Sequence, residues 1–202
     1  MQHLFKAIYF VGVLVEIFLR MPYDRQRRQI PKTDQRVTPA EHALLAGLFT
    51  ALVALPAIYS LTGWLNFANY RWSPAAKTRA GGLGTVLLGA AIWLFWRSHR
   101  DLGSNWSPSL EIGSQHTLVT QGVYRSIRHP MYASLWLWGL AQALLLPNWI
   151  AGSASLVAVL PFYFGRVPQE ERMMLDHFGD DYRAYFAQTG RIVPRLRGLA
   201  RS

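Results

Sequence analysis

His116, Arg128, His129, Arg166, Glu170 and Glu171 fall into three short clusters in the C-terminal half of the chain, each close to an apolar run. The first cluster is His116–Thr117–Leu118–Val119, followed by Gly122–Val123–Tyr124. The second is Arg128–His129–Pro130–Met131–Tyr132. The third is Arg166–Val167–Pro168–Gln169–Glu170–Glu171. These residue types suit binding and alignment of a charged ligand. A carboxylate pairs with an amino group and an arginine holds a carboxylate or phosphate. Tyrosine rings attract a cationic centre. Taken singly, each has a plainer reading. Arg128 and Arg166 could anchor at an interface with their stems along apolar surface. Pro130 suits a first helical turn, and Glu170 and Glu171 suit acids at a helix start. Gathered at the edge of an apolar segment, ionisable groups point to a site.

The elements that must position them read as membrane helices. Apolar residues make up 51% and charged residues 16% of the sequence, against about 45–50% and about 25% in soluble domains. The composition is segregated into long apolar runs and short basic loops, so the expected fold is an all-α integral membrane protein. About five spans are expected, at Leu4–Leu19, Ala43–Trp64, Gly81–Trp96, Met131–Leu146 and Trp149–Gly165. Pro56 should kink the second span. The Gly- and Ala-rich third span favours close helix contact. The fourth and fifth are short and separated only by Pro147–Asn148, which predicts a tight helical hairpin. Its antiparallel arms would return His129 and Arg166 to one level. Beyond it, Pro168–Gln188 predicts a soluble helix or two short ones. Pro168 would sit in the first turn, Gly179 at a break, and Phe178, Tyr182, Tyr185 and Phe186 on one aromatic face.

The net charge of +10 does not require a nucleic-acid partner, because the basic residues flank apolar runs and follow the positive-inside rule. Arg20, Arg25, Arg27, Arg28, Lys32 and Arg36 lie between spans one and two. Arg97, Arg100, Arg125 and Arg128 follow span three. The tail carries Arg166, Arg172, Arg183, Arg191, Arg195, Arg197 and Arg201. The alternate loops have only Lys6, Arg71, Lys77 and Arg79. An odd number of passes puts the three basic segments on one side, with the N-terminus outside and the C-terminal region in the cytoplasm. The first run lacks a small-residue cleavage site at Arg20–Met21–Pro22, so a cleaved leader is not expected. The absence of cysteine excludes disulfides, thiolate metal sites and cysteine nucleophiles. Gly82–Leu–Gly84 lacks the third glycine of a dinucleotide loop.

Gly122–Val123–Tyr124, Arg128–His129–Pro130–Met131–Tyr132, Glu170–Glu171 and Phe178–Gly179–Asp180–Asp181–Tyr182 together resemble the isoprenylcysteine carboxyl methyltransferase family, within the wider group that includes phospholipid methyltransferases. The resemblance covers about Leu102 to Pro194. It divides the chain into an N-terminal three-span membrane region, 1–97, and a catalytic region, 98–202. It implies a membrane methyltransferase that uses S-adenosylmethionine, releases S-adenosylhomocysteine and acts on a lipid-linked acceptor, the C-terminal carboxylate of an isoprenylated cysteine. Carried over by position, His116, Thr117, Leu118, Val119, Tyr124, His129, Pro130, Met131, Tyr132 and Glu170 would line the cofactor pocket. Arg166 would hold the acceptor, and Arg166, Glu170 and Glu171 would serve catalysis. No metal is implied; membrane lipids and the lipid-linked acceptor are the implied partners. Glu111 and Asn105–Trp106 match less closely. A phospholipid N-methyltransferase, a sterol-reductase-like NADPH oxidoreductase sharing Arg-His-Pro-x-Tyr, and a non-enzymatic lipid-binding membrane protein remain alternatives on sequence alone.

Overall fold

The structure is a computed structural model that describes residues 1–36, 38–107, 109–114 and 116–195; Arg197 and Arg201 of the basic tail lie outside the described residues. Its helices are α1 (Gln2–Arg27), α2 (Pro39–Phe49), α3 (Leu55–Leu61), α4 (Pro74–Leu102), α5 (Pro130–Leu145) and α6 (Ala154–Gln188). A π-helical turn, Thr50–Ala54, joins α2 to α3. Among the described residues, two segments are long and apolar enough to cross a membrane, Pro39–Leu61 and Pro74–Asn105.

The first of these carries the expected Pro56 irregularity, with the distortion in the turn before the proline. Proline has no N–H to offer the carbonyl four residues back, which here is Leu52. The Tyr9 hydroxyl lies 2.6 Å from that carbonyl and 2.7 Å from Gln142 Oε1. Gln142 Nε2 donates to Ala51 O at 2.9 Å and to Ala151 O at 2.6 Å. Buried side chains therefore satisfy the backbone groups that the irregular turn releases, as an apolar surrounding demands.

Small residues let α1, α4 and α5 approach closely. A side chain at Gly84 would meet Leu144, Leu145 and the Ala141 carbonyl, and one at Gly12 would meet Leu88. The resulting core joins Phe5 and Tyr9 of α1, Tyr59 of α3, Leu88 and Ala91 of α4, and Trp138, Ala141 and Leu145 of α5. Outward faces stay apolar: Phe18, Val86, Val157 and Phe164 are each more than 60% exposed. Exposed Trp64, Phe67 and Trp149 lie with Tyr70 and Trp72 in the loops at one end. That is where amphipathic rings settle at a membrane–water boundary.

The hairpin of α5 and α6 is antiparallel, with Gly139 against Leu156 near its turn and His129 near Glu171 at its open end. Its connection is longer than Pro147–Asn148, and α6 begins at Ala154 rather than Trp149. The cause is Asn148, which is fully buried. Its side-chain oxygen accepts the N–H groups of Ile150 and Ala151 at 3.0 and 2.9 Å, while its amide donates to Leu65 O. An asparagine bonded this way to the following backbone sets a turn and delays the helix.

The tail also differs from expectation. Pro168 does not begin a new helix, and Glu170 and Glu171 do not occupy a first turn; all three lie inside α6. Pro161 and Pro168 both stand on the exposed face, where the carbonyls they release can turn to the surroundings rather than into the core. The break comes at Gly179, with φ 53° and ψ −122°, a conformation that side chains disfavour. The helix ends at Gln188, one residue before Thr189.

Two short strands close the open end of the hairpin. β1 (Lys32–Gln35) pairs antiparallel with β2 (Glu111–Gly113), placing Gln35 opposite Glu111 and Asp34 opposite Ile112, with an irregularity at Thr33. The loop after α1 is thereby fastened to the loop after α4.

Candidate active site

The His-Pro segment is held by the end of the chain. Arg128 N–H donates to Gly190 O at 2.8 Å, and His129 N–H donates to Arg191 O at 2.9 Å. The Arg128 guanidinium is buried, lies 3.9 Å over the Phe186 ring, and donates to the Phe186 and Thr189 carbonyls. A buried cation in such a place needs a counter-charge, and Glu171 supplies it. Its Oε1 lies 3.2 Å from Arg128 Nε, 3.2 Å from His129 Nε2 and 3.2 Å from Arg191 Nε, and its Oε2 lies 2.5 Å from Arg191 Nη2.

Burial alone would raise the Glu171 carboxyl. The hydrogen bonds from His129 and Arg191 outweigh it and hold the group at about 2. A carboxyl depressed in the folded state stabilises the fold above its unfolded value and loses that contribution as pH falls through the folded one. Thermal unfolding in a fixed detergent is therefore expected to show no loss from this group at pH 7, and a progressive loss from about pH 4.5 towards about 2. Glu171→Gln should be less stable at pH 7 and show a smaller decline on acidification. Parallel pH curves for the two proteins would contradict this assignment.

A cavity of about 200 Å³ opens between this cluster, the loop after α4 and the hairpin. Its wall includes His116, Thr117, Leu118, Val119, Tyr124, His129, Pro130, Met131 and Tyr132, together with Arg166 and Glu170 of α6. Glu171 is not part of the wall and faces Arg128, His129 and Arg191 instead. Asn105, Trp106 and Glu111 also line the cavity.

Each wall segment has a local cause for its position. Asp101 catches the Val123 N–H at 2.8 Å, and Gly122 turns the chain there with φ +60°. A side chain at Gly122 would collide with that carboxylate. Tyr124 is then pinned by Tyr185, whose hydroxyl donates to the Tyr124 carbonyl at 2.7 Å. Burial, reinforced by the nearby Glu170 charge, pushes the Tyr124 hydroxyl well up, so it stays protonated. Asn105 forms a two-way contact with Thr117, accepting its N–H at 2.8 Å and donating to its hydroxyl at 3.1 Å. Burial and the neighbouring His177 lower His116 to about 4, so its imidazole is neutral at pH 7. Glu111 is held by Lys32 at 2.6 Å and Arg27 at 2.8 Å. Burial opposes its charge, but its hydrogen bonds and those cations lower its carboxyl overall.

Glu170 and Arg166 stand one helical turn apart on the inner face of α6. Tyr132 donates its hydroxyl to Glu170 Oε2 at 2.9 Å. Arg166 Nη1 lies 3.1 Å from Glu41 Oε1 of α2, and both residues are buried. Further into the helices the cavity wall turns apolar, with Leu45, Leu48, Leu135 and Phe162. The arrangement offers cationic and carboxylate side chains, Arg166 and Glu170 among them, and the N-terminus of α5, together with a hydrocarbon-lined surface.

Sequence reasoning missed Glu41, Arg20, Leu45 and Leu48, which the N-terminal helices bring to the site. Thr38–Pro39–Ala40–Glu41 is a capping pattern before an apolar run, and Thr38 does accept the Glu41 N–H at 3.2 Å. That signal marks a helix start and hides the long-range role of the glutamate.

Residues 83–176 match the model of the isoprenylcysteine carboxyl methyltransferase (ICMT) family. The human protein-S-isoprenylcysteine O-methyltransferase is 32% identical over 149 residues, covering 70% of this chain and 52% of that protein. The Arabidopsis thaliana protein-S-isoprenylcysteine O-methyltransferase B is 37% identical over 112 residues, covering 55% of this chain and 54% of that protein. A solved structure of a eukaryotic intramembrane Ras methyltransferase ICMT has 30% identity and a TM-score of 0.44, covering 79% of this chain and 52% of that one. The chain spans about half the length of the curated relatives it matches.

Proposed function

We propose, from the match of residues 83–176 to the isoprenylcysteine carboxyl methyltransferase family model, that this chain is a membrane enzyme that methylates the carboxylate of a lipid-linked, isoprenylcysteine-type acceptor with S-adenosylmethionine. The observation that carries the reading is the cavity itself. It joins the charged pair Arg166 and Glu170 to an apolar surface of Leu45, Leu48, Leu135 and Phe162. A polar donor and an acceptor with a hydrocarbon chain need those two surfaces within one site.

The side chains suit the donor. Glu170, fixed by Tyr132, provides a carboxylate for an amino group. The N-terminus of α5 at Pro130 provides a favourable field for a carboxylate, and the Tyr124 and Tyr132 rings suit a sulfonium. Bound there, S-adenosylmethionine would supply an electrophilic methyl group and leave as S-adenosylhomocysteine. A carboxylate acceptor, with a pKa of about 3.3–3.7, is already ionised at neutral pH and gives up no proton. These residues therefore need to align and desolvate rather than act as a base. Arg166 holds one acceptor oxygen while the other faces the donor. Glu171 supports the site through Arg128 and His129.

We read the helices as about five passes, the short hairpin among them. Supporting this, the loops after α1 and α4 and the end of α6 meet around the cavity, and these are the Arg-rich segments. The Arg-poor loops meet at the opposite end, where Asn69 bridges to Asn148. By charge the cavity end is cytoplasmic.

The test is transfer from labelled S-adenosylmethionine, by the protein in membranes, to a farnesyl-cysteine analogue and to the membrane lipids. A base-labile product on the farnesyl-cysteine analogue is expected. A base-stable product on lipid alone would replace the carboxylate reading with N-methylation. No transfer and no donor binding would overturn the enzyme reading.

A further inference from the structure

We propose that Glu41, in the N-terminal half and outside the family match, is a positioning residue that aims Arg166 at the acceptor and, through the same oxygen, seats the loop that closes the donor side of the cavity. The inference rests on the methyltransferase reading above and adds to it a residue that does not touch either substrate.

Glu41 Oε1 lies 3.1 Å from Arg166 Nη1 and accepts the Leu110 N–H at 3.1 Å. Glu41 is only 4% exposed and Arg166 only 6%, so the pair is largely withdrawn from bulk water. Arg166 lines the cavity, whereas Glu41 stands behind it. A guanidinium carries five N–H donors in a rigid plane, so engaging one terminal nitrogen fixes the orientation of the rest. The Leu110 contact reaches the other half of the site. Leu110 and Trp106 line the cavity, and the same loop runs through β2 to His116 and Thr117. Arg36 N–H donates to Leu110 O at 2.9 Å, so Leu110 is tied through its N–H to Glu41 and through its carbonyl to the chain that precedes Glu41. Glu41 occupies the first turn of α2, with Thr38 as its cap, where the helix dipole favours a carboxylate.

Two variants separate its contacts. Glu41→Gln retains an oxygen for the Leu110 N–H and loses the charge that faces Arg166. Glu41→Leu loses both. With the full chain in membranes and a farnesyl-cysteine analogue as acceptor, Glu41→Gln is expected to lower acceptor kcat/KM about 10- to 100-fold. Donor Kd should stay within about twofold. Glu41→Leu should weaken donor binding as well. In an Arg166→Ala background, Glu41→Gln should add nothing further to the loss of acceptor turnover. Unchanged acceptor kcat/KM in Glu41→Gln would overturn the proposal. So would equal losses in donor and acceptor parameters accompanied by a lower Tm, the pattern of a purely structural residue. Absence of donor binding and transfer in the unaltered protein would instead fail the methyltransferase reading, and this inference with it.

Discussion

Arg166→Ala is expected to reduce methyl transfer to a carboxylate acceptor by about 10²–10³-fold, the usual consequence of removing a preorganised charge partner from an active site. Donor affinity should change less than acceptor turnover, because the donor contacts are assigned to Glu170 and the α5 terminus rather than to the guanidinium one helical turn from Glu170. Arg166 is 6% exposed and fixed by Glu41 at 3.1 Å, so its cationic fork is in place before the acceptor arrives. The alanine variant also leaves Glu41 buried without its counter-charge, a change that costs about 3–5 kcal/mol when a buried pair is broken. Arg166→Lys separates the two effects. It retains the charge but loses the planar fork, so it should unfold near the wild-type temperature and still turn over slowly. Kinetics and melting curves measured on the same preparations check this. Full turnover by a folded Arg166→Ala protein would remove Arg166 from acceptor alignment.

The second large effect is expected on the donor. Glu170→Gln should raise the Kd for S-adenosylmethionine about 10- to 100-fold, the equivalent of losing one charge-assisted hydrogen bond. Glu170 lines the cavity and receives the Tyr132 hydroxyl at 2.9 Å. Tyr132→Phe leaves the carboxylate in place but frees its rotation, so its penalty should be smaller. Equilibrium binding of labelled donor reads both variants without relying on turnover. If Glu170→Gln bound the donor normally and lost only acceptor affinity, the assignment of Glu170 to the donor would be overturned.

Much of this arrangement was legible because its causes are local. Apolar runs, Pro130 and the hairpin place His129 and Arg166 at one level, and Gly179 marks the break in α6. Glycines in α4 foretell close contact, and Gly84 provides it against Leu144 and Leu145. The residues expected around the donor mostly lie on one stretch of chain, so a motif read in order captures them. What escaped depends on partners far apart in sequence. Glu171 reads equally well as a helix-start acid and as a counter-ion, and only the return of Arg191 beside Arg128 distinguishes these roles. Glu41 reads as a cap. Pro168 reads as a helix start, because the rule for proline near a terminus does not contain the information that its position faces outward. Asn148 looks like part of a minimal turn until Leu65 is there to receive its amide.

The π-helical turn at Thr50–Ala54 sets a rotational phase. Each residue advances a helix by about 100°, so one extra residue in a turn rotates everything on one side of it relative to the other. Below the turn, Leu44, Leu45 and Leu48 pack beside Tyr132 and Phe162. Above it, Tyr59 packs with Phe5, Tyr9 and Trp138. One helical rod thus presents different sides to two different cores, and the side it presents below carries Glu41 towards Arg166. The aim of a charge at the cavity is therefore set partly by an insertion two turns away, held open by Gln142 and Tyr9. Shortening that segment by a single residue would leave every side chain of the site in the sequence and point Glu41 away from it.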